Sequence, residues 1–150
     1  MGDQVSVKVN GVYVVEAEGG FAAPVVLLED EAYRIVPIFV GLSEAISIHK
    51  ALSGETSPRP TTHDLFISAL ECLNAEITDV LIDDLDGGIY YARLSVSIDS
   101  VGREIDARPS DCLALALRAD TPIQIRENVV LESCVDRNEL ENLKDIENYL

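Results

Sequence analysis

The apolar residues of this chain change their spacing twice, and this change constrains the fold more than any other feature. Over residues 5–40 they alternate with polar residues or form short β-branched runs, which is typical of strands. Over residues 43–73 they recur every three or four positions, which is the period of an α-helix. Strand-like runs return over residues 75–107. This order predicts an α+β fold, in which a mixed, largely antiparallel sheet packs against helices.

The same spacing, with turn residues between the runs, predicts the individual elements. Asn10-Gly11 interrupts the first run and indicates either a hairpin turn or a bulge. Helix 109–118 is apolar on almost every side, so we expect it inside the fold. The predicted strands are residues 5–15, 24–28, 33–40, 75–82, 89–98, 101–107 and 122–125, and the predicted helices are residues 43–52, 61–73 and 109–118. The second of these helices is expected to bury Leu65, Phe66, Ala69, Leu70 and Leu73.

The last part of the chain is acidic and is predicted to be helical over residues 128–150. Acidic residues outnumber basic ones there, which is typical of a solvated helix face. A length of 150 residues favours one domain. We therefore assign residues 1–132 to a single α+β domain and residues 133–150 to an acidic C-terminal helical tail.

The charge of the chain excludes one simple way of binding nucleic acid. It has 11 Lys and Arg against 27 Asp and Glu, a net charge of −16 at pH 7, so there is no long-range attraction to a polyanion. Such a composition suits a cell with high internal salt, and an ordinary acidic cytosolic protein explains it equally well.

The cysteines and the apolar runs indicate where the protein is found. Cys72, Cys112 and Cys134 form no C-x-x-C pair, so we expect reduced thiols in the core rather than disulfides or a zinc site. No basic segment followed by an apolar stretch opens the chain, and no apolar run is long enough for a membrane helix. We predict a cytoplasmic protein without a membrane partner.

Two predicted helices begin with the same arrangement of residues. Arg59-Pro60-Thr61 opens one and Arg108-Pro109-Ser110 opens the other, and an aspartate follows in each first turn, Asp64 or Asp111. Backbone N–H groups at a helix start, with an arginine beside them, favour a bound phosphate or carboxylate. Capping requires the same residue types, and each arginine can pair with a nearby acid, so a structural role is the simpler interpretation of the pattern alone.

His63 and Glu44 are two further candidates for chemistry. His63 lies beside Asp64 in the first turn of its helix, where a neutral imidazole can act as a general base or bind a metal ion. Glu44 lies near the border of an apolar helix face, as a carboxylate facing a cleft would, although the helix dipole also favours acids there. Motifs of P-loop, dinucleotide-binding, zincin and serine-hydrolase proteins do not occur in the sequence.

Three blocks give the chain a resemblance to a known family. They are VPIFVGLSEA at residues 36–45, RPTTHDL at residues 59–65, and IDARPSDC at residues 105–112 with LALR at residues 115–118. With these blocks the chain resembles the bifunctional nuclease family. The resemblance implies an α+β domain that self-associates, and an activity in some members that cleaves both DNA and RNA. The polar residues that the family marks are Glu44, Arg59, His63, Asp64, Arg108, Ser110 and Asp111.

The resulting hypothesis is metal-assisted hydrolysis of phosphodiester bonds. Glu44, Asp64 and Asp111 would supply oxygen ligands for Mg²⁺ or Mn²⁺. His63 would activate or position water, and Arg59, Arg108 and Ser110 would hold the phosphate.

Two alternatives remain open at this point. In the first alternative, the chain is a non-enzymatic homo-oligomer whose arginine pocket binds a small anion or a protein partner. In a third interpretation, the same polar residues form a structural network of ion pairs and caps that fixes two helix starts to the sheet.

Overall fold

The computed structural model describes residues 3–16, 19–20 and 22–150. In these residues the strands are β1 Gln4–Glu16, β2 Ala22–Asp30, β3 Ile35–Phe39, β4 Ala75–Asp86, β5 Ile89–Ile98, β6 Val101–Ala107, β7 Ile123–Arg126 and β8 Leu143–Asp145. The α-helices are α1 Leu42–Ser53, α2 Thr62–Cys72, α3 Pro109–Ala119 and α4 Glu127–Ser133, and 3-10 helices cover Arg137–Leu140 and Ile146–Tyr149. The predicted order of strands, helices and strands up to β7 is confirmed.

One mixed sheet joins these strands. Their order is β3-β2-β1-β7-β4-β5-β6, and β8 lies beside β1. The described strand pairs are antiparallel except β4 and β7, where Val80 pairs with Ile123 in parallel. The predicted fold class is therefore confirmed: a single α+β domain whose mixed, largely antiparallel sheet packs against helices.

The interruption at Asn10-Gly11 is a bulge rather than a hairpin turn. β1 continues through these residues as one strand. Its register against β2 shifts between Val9 and Gly11, where an extra residue enters the ladder. The strand therefore stays in the sheet and bends locally.

Helix α3 lies in the middle of the core, as its apolar composition predicts. From Cys112 to Ala116 every residue is at most 3% exposed, and the helix packs against α1, β4 and β5. Burial raises the pKa of Cys112 to about 12. Cys72 and Cys134 are exposed, so the expectation of core thiols is confirmed for Cys112 and wrong for the other two.

The prediction that α2 buries one apolar face is wrong. Leu65 is 63% exposed, Phe66 39% and Leu73 66%, and no residue of this fully described helix is buried. Ile67 and Leu70 alone pack against the edge of the core. Periodicity shows that a helix has an apolar face, but it does not tell whether the same chain covers that face.

The predicted C-terminal helix is also wrong beyond Ser133. After α4 the chain forms a 3-10 helix, the short strand β8 and a second 3-10 helix. β8 pairs with β1, with Lys144 opposite Val14, and Ile146 is fully buried in the core. A high content of acidic residues predicts that a segment is exposed, but it does not distinguish a helix from a short strand. The packing of this segment could therefore not be predicted from its charge.

In the described part of the chain, no helix is long and apolar enough to cross a membrane.

Candidate functional site

A pocket between α1 and the starts of α2 and α3 contains most of the predicted site residues. It has a volume of about 410 Å³, and its polar lining includes Glu44, Ser47, His63, Arg108 and Asp111. A larger cavity of about 740 Å³ lies between α2 and the β4–β5 edge, but no histidine lines it. The smaller pocket, which we call the His63 pocket, is therefore the candidate site.

A chain of hydrogen bonds crosses the His63 pocket. The Ser47 Oγ atom lies 2.6 Å from His63 Nδ1, and His63 Nε2 lies 2.9 Å from Asp111 Oδ1. The His63 side chain is 13% exposed and that of Asp111 is 33% exposed. The chain of bonds thus joins the middle of α1 to the first turns of α2 and α3.

The carboxylate of Asp111 favours one tautomer of a neutral His63 ring, with the proton on Nε2. Burial raises the pKa of Asp111, but hydrogen bonds from Arg108 and His63 outweigh this effect, and the pKa lies below its usual value. The ionised carboxylate accepts the Nε2 proton, so Nδ1 of the neutral ring is left as an acceptor. In this tautomer Ser47 donates its hydroxyl proton to Nδ1, which is the acceptor nitrogen of the ring.

Arg108 joins the two carboxylates of the pocket. Its Nε atom lies 3.0 Å from Asp111 Oδ2, and its Nη1 atom lies 3.4 Å from Glu44 Oε1. Arg108 occupies the N-cap position of α3, and Pro109 follows as the first helical residue. Its side chain is 64% exposed, so part of the guanidinium faces solvent and can bind an incoming anion.

Gly41 makes room for Glu44. It precedes α1, and Glu44 lies in the first turn of that helix. A Cβ atom at Gly41 would overlap with the Glu44 carboxylate. The glycine therefore allows the carboxylate to fold back over the helix start toward Arg108.

Asp64 does not line the His63 pocket, although it was predicted as a catalytic and metal-binding residue. Its Oδ2 atom accepts hydrogen bonds from the Thr61 backbone N–H at 2.9 Å and the Thr61 hydroxyl at 2.8 Å. Its Oδ1 atom accepts a hydrogen bond from Arg118 Nε at 2.8 Å. These bonds, with that of Arg118 the strongest, lower the pKa of Asp64 to about 2. The capping box that the sequence offered as a structural alternative is present.

Arg59 and Ser110 also lie apart from the pocket lining. Arg59 is exposed and makes no hydrogen bond or ion pair within the described residues. Ser110 is 7% exposed in the first turn of α3. The pocket thus brings together Glu44, His63, Arg108 and Asp111, but not Arg59, Asp64 or Ser110.

The predicted metal ligands do not converge. Glu44 and Asp111 both contact Arg108, whereas Asp64 contacts Arg118. A guanidinium occupies the position between the two pocket carboxylates, so this donor set does not fit a shared divalent ion as it stands.

Ser47 is the member of the hydrogen-bonded chain that sequence reasoning missed. It lies three positions after Glu44 on the predicted helix 43–52, and residues at this spacing share a helix face. This spacing could have placed Ser47 on the same helix face as Glu44. It indicates a site residue only once His63 of the next helix is known to lie against that face.

Comparison with known proteins identifies the family of the chain. The family model described as the bifunctional nuclease domain matches residues 25–138. The chain belongs to this family. The range matched by the bifunctional nuclease domain includes every residue of the hydrogen-bonded chain and Arg108.

The relatives fall into two groups. Uncharacterized proteins of Mycobacterium tuberculosis, strains CDC 1551 / Oshkosh and H37Rv, are each 38% identical over 128 residues, which is 85% of this chain and 74% of the relative. Bifunctional nuclease 1 of Oryza sativa subsp. indica is 29% identical over 112 residues, which is 71% of this chain and 33% of the relative. This chain is similar to about a third of the rice protein.

Proposed function

We propose that this bifunctional nuclease domain hydrolyses phosphodiester bonds of DNA or RNA in the His63 pocket. The observation that carries the proposal is the bond chain from Ser47 through His63 to Asp111. It presents an acceptor nitrogen whose ring is oriented by a carboxylate, which is the arrangement of a general base. The name of the rice relatives supports the same class of reaction.

In this proposal His63 accepts a proton from the attacking water. The attacking water takes the place of the Ser47 hydroxyl beside Nδ1, and its proton passes directly to this nitrogen. The water oxygen forms a bond to phosphorus as the bond to one ester oxygen breaks. The imidazolium, stabilised by Asp111, returns its proton to the departing oxygen. Ser47 is a positioning residue, because it acts through His63.

Arg108 binds the phosphate in this proposal. Its exposed guanidinium lies beside the base and can stabilise the charge that develops on the phosphoryl oxygens. Because the whole chain carries a charge of −16, attraction is local to this arginine, and affinity for nucleic acid depends on contacts made within the pocket. Glu44 orients the guanidinium from the other side.

Mg²⁺ or Mn²⁺ dependence remains a prediction that the same assay tests. The donor set as placed does not supply a site for the ion, so no step of the proposed reaction passes through a metal.

A net charge of −16 repels a long polyanion more strongly than a small anion. A second candidate is therefore a non-enzymatic module that binds a small anion at Arg108. Such a module needs the guanidinium but no general base. A nuclease cleaves its substrate, whereas the module binds an anion without cleaving anything, so a cleavage assay distinguishes the two functions.

The test is cleavage of labelled single- and double-stranded DNA and RNA by the full chain, at low and high KCl, with Mg²⁺, Mn²⁺ or EDTA. We expect cleavage by the wild type and a loss of about 100-fold or more in His63→Gln. Arg108→Gln should also lose activity, whereas Arg103→Gln, an exposed arginine on β6, should retain it. No cleavage in any condition, with saturable phosphate binding that Arg108→Gln removes, would favour the anion-binding module.

A further inference from the structure

A second group of possible metal ligands lies outside the His63 pocket. It consists of His49, Glu55 and Glu147, which we call the His49 cluster. One ligand atom from each of these residues lies within 4.8 Å of the other two. We propose that the His49 cluster binds a divalent ion of the zinc class and thereby fixes the C-terminal segment to α1.

His49 distinguishes this cluster from an ordinary group of surface acids. The residue is 8% exposed, and its Nε2 atom is buried without a hydrogen-bond partner among the described residues. Nε2 lies 3.2 Å from Glu147 Oε1, but the contact does not form a hydrogen bond. A buried polar atom without a partner is unfavourable, and a metal ion would satisfy this nitrogen.

The backbone holds both glutamates near the His49 ring. Glu55 follows Gly54, which ends α1 in the left-handed conformation at φ 75°, and the Glu55 N–H donates to the Lys50 carbonyl at 3.0 Å. The Glu147 N–H donates to Asp145 Oδ1 at 2.9 Å. Its neighbour Ile146 is fully buried. Both carboxylates therefore start from fixed positions in the fold.

The donor chemistry selects the class of ion. One imidazole nitrogen with two carboxylates suits Zn²⁺ and related first-row ions, whereas Mg²⁺ prefers oxygen donors alone. Ligand atoms bind Zn²⁺ at about 2.0 to 2.2 Å, so donors around one ion lie about 3 to 4 Å apart. Both glutamates are exposed, so their side chains can make the small closing movement, and water would complete the coordination.

An ion in the His49 cluster would connect distant parts of the chain. His49 and Glu55 lie at the end of α1, and Glu147 lies in the last 3-10 helix. A ligand that binds only the folded state stabilises it. The ion would thus strengthen the packing of residues 143–150 against the core and would also reduce the repulsion within an acidic chain.

The test is calorimetric titration of the metal-free full chain with ZnCl₂, and with MgCl₂ as the control ion. We expect one saturable Zn²⁺ site per chain, and no comparable site for Mg²⁺. Glu55→Gln and Glu147→Gln should each weaken Zn²⁺ binding about tenfold or more. Glu132→Gln, an exposed glutamate on α4, is the matched control. Both test variants change exposed side chains, so the experiment does not depend on whether a variant of buried His49 folds.

Two further measurements decide where the ion binds. Zn²⁺ should raise the unfolding temperature of the wild type more than that of Glu147→Gln. Co²⁺ bound to the wild type should show no thiolate charge-transfer band, because the cluster contains no cysteine. Absence of saturable binding, wild-type affinity for Zn²⁺ in both glutamate variants, or a thiolate band from Cys72 or Cys134 would overturn the proposal.

Discussion

His63 Nε2 lies 2.9 Å from Asp111 Oδ1, although the two residues are 48 positions apart in the chain. The contact joins the first turns of α2 and α3, two helices that begin with similar sequences. It holds the imidazole so that its other nitrogen faces Ser47 on α1. The orientation of the His63 ring thus depends on three helices, each of which contributes one side chain to the hydrogen-bonded chain.

Asp111→Asn should strongly reduce cleavage. The asparagine amide can donate to Nε2, which would place the ring proton on Nδ1 and remove the acceptor that the reaction needs. We expect a loss of about 100- to 1000-fold in kcat/KM. The matched control is Asp106→Asn, an exposed carboxylate on β6. Equal activity of Asp111→Asn and the control would exclude Asp111 from the reaction.

Ser47→Ala should retain activity within about tenfold of the wild type, because a water molecule can take the place of its hydroxyl beside His63 Nδ1. Ser43→Ala, on the same helix and in the same pocket, is the control. The measurement is kcat/KM on a labelled oligonucleotide. Complete loss of activity in a folded Ser47→Ala protein would instead make Ser47 the attacking nucleophile.

Asp64→Asn should reduce stability without reducing cleavage. We expect the free energy of unfolding to fall by about 1 kcal/mol, since the variant weakens a helix cap and a partly exposed ion pair with Arg118. The folded-state pKa of about 2 lies below the usual value of 3.8. The contribution of Asp64 is therefore complete above about pH 4 and is lost as the pH falls through 2.

Chemical denaturation of Asp64→Asn and the wild type from pH 7 to pH 2 measures this difference. Glu71→Gln on the same helix controls for the loss of an exposed acid. A difference that persists at pH 2, or a large loss of cleavage at pH 7, would contradict the structural assignment of Asp64.

We propose that the chain self-associates through the exposed face of α2. Leu65 and Phe66 are 63% and 39% exposed. Complete burial of a fully exposed side chain of this kind contributes about 1.5 to 3 kcal/mol, and burial of these partly covered ones contributes a fraction of that. Leu65→Ser with Phe66→Ser should therefore lower the mass measured by light scattering, whereas Leu131→Ser, 67% exposed on α4, should not. An unchanged mass in the double variant would place any interface elsewhere.

The sequence predicted much of the fold but only part of the site. Alternation and helical spacing depend on local contacts, so β5, β6 and α3 follow closely from the residues, whereas β4 continues four residues beyond its predicted end. The capping pattern with Asp64 offered a structural and a catalytic interpretation, and the position of Arg118, 54 residues away, favours the structural one. No local pattern identifies Ser47, whose role depends on a histidine from another helix. Cytoplasmic localisation stays a prediction.

Imidazole rescue of His63→Ala tests the central claim most directly, because it asks whether a base is what the pocket supplies. Cleavage by His63→Ala should fall by about 100-fold or more, and added imidazole should restore part of it with a dependence on the concentration of the neutral base. The Asp111→Asn variant still has the imidazole ring of His63, so added imidazole should increase its cleavage only slightly. Wild-type cleavage by a folded His63→Ala protein without imidazole would contradict the account.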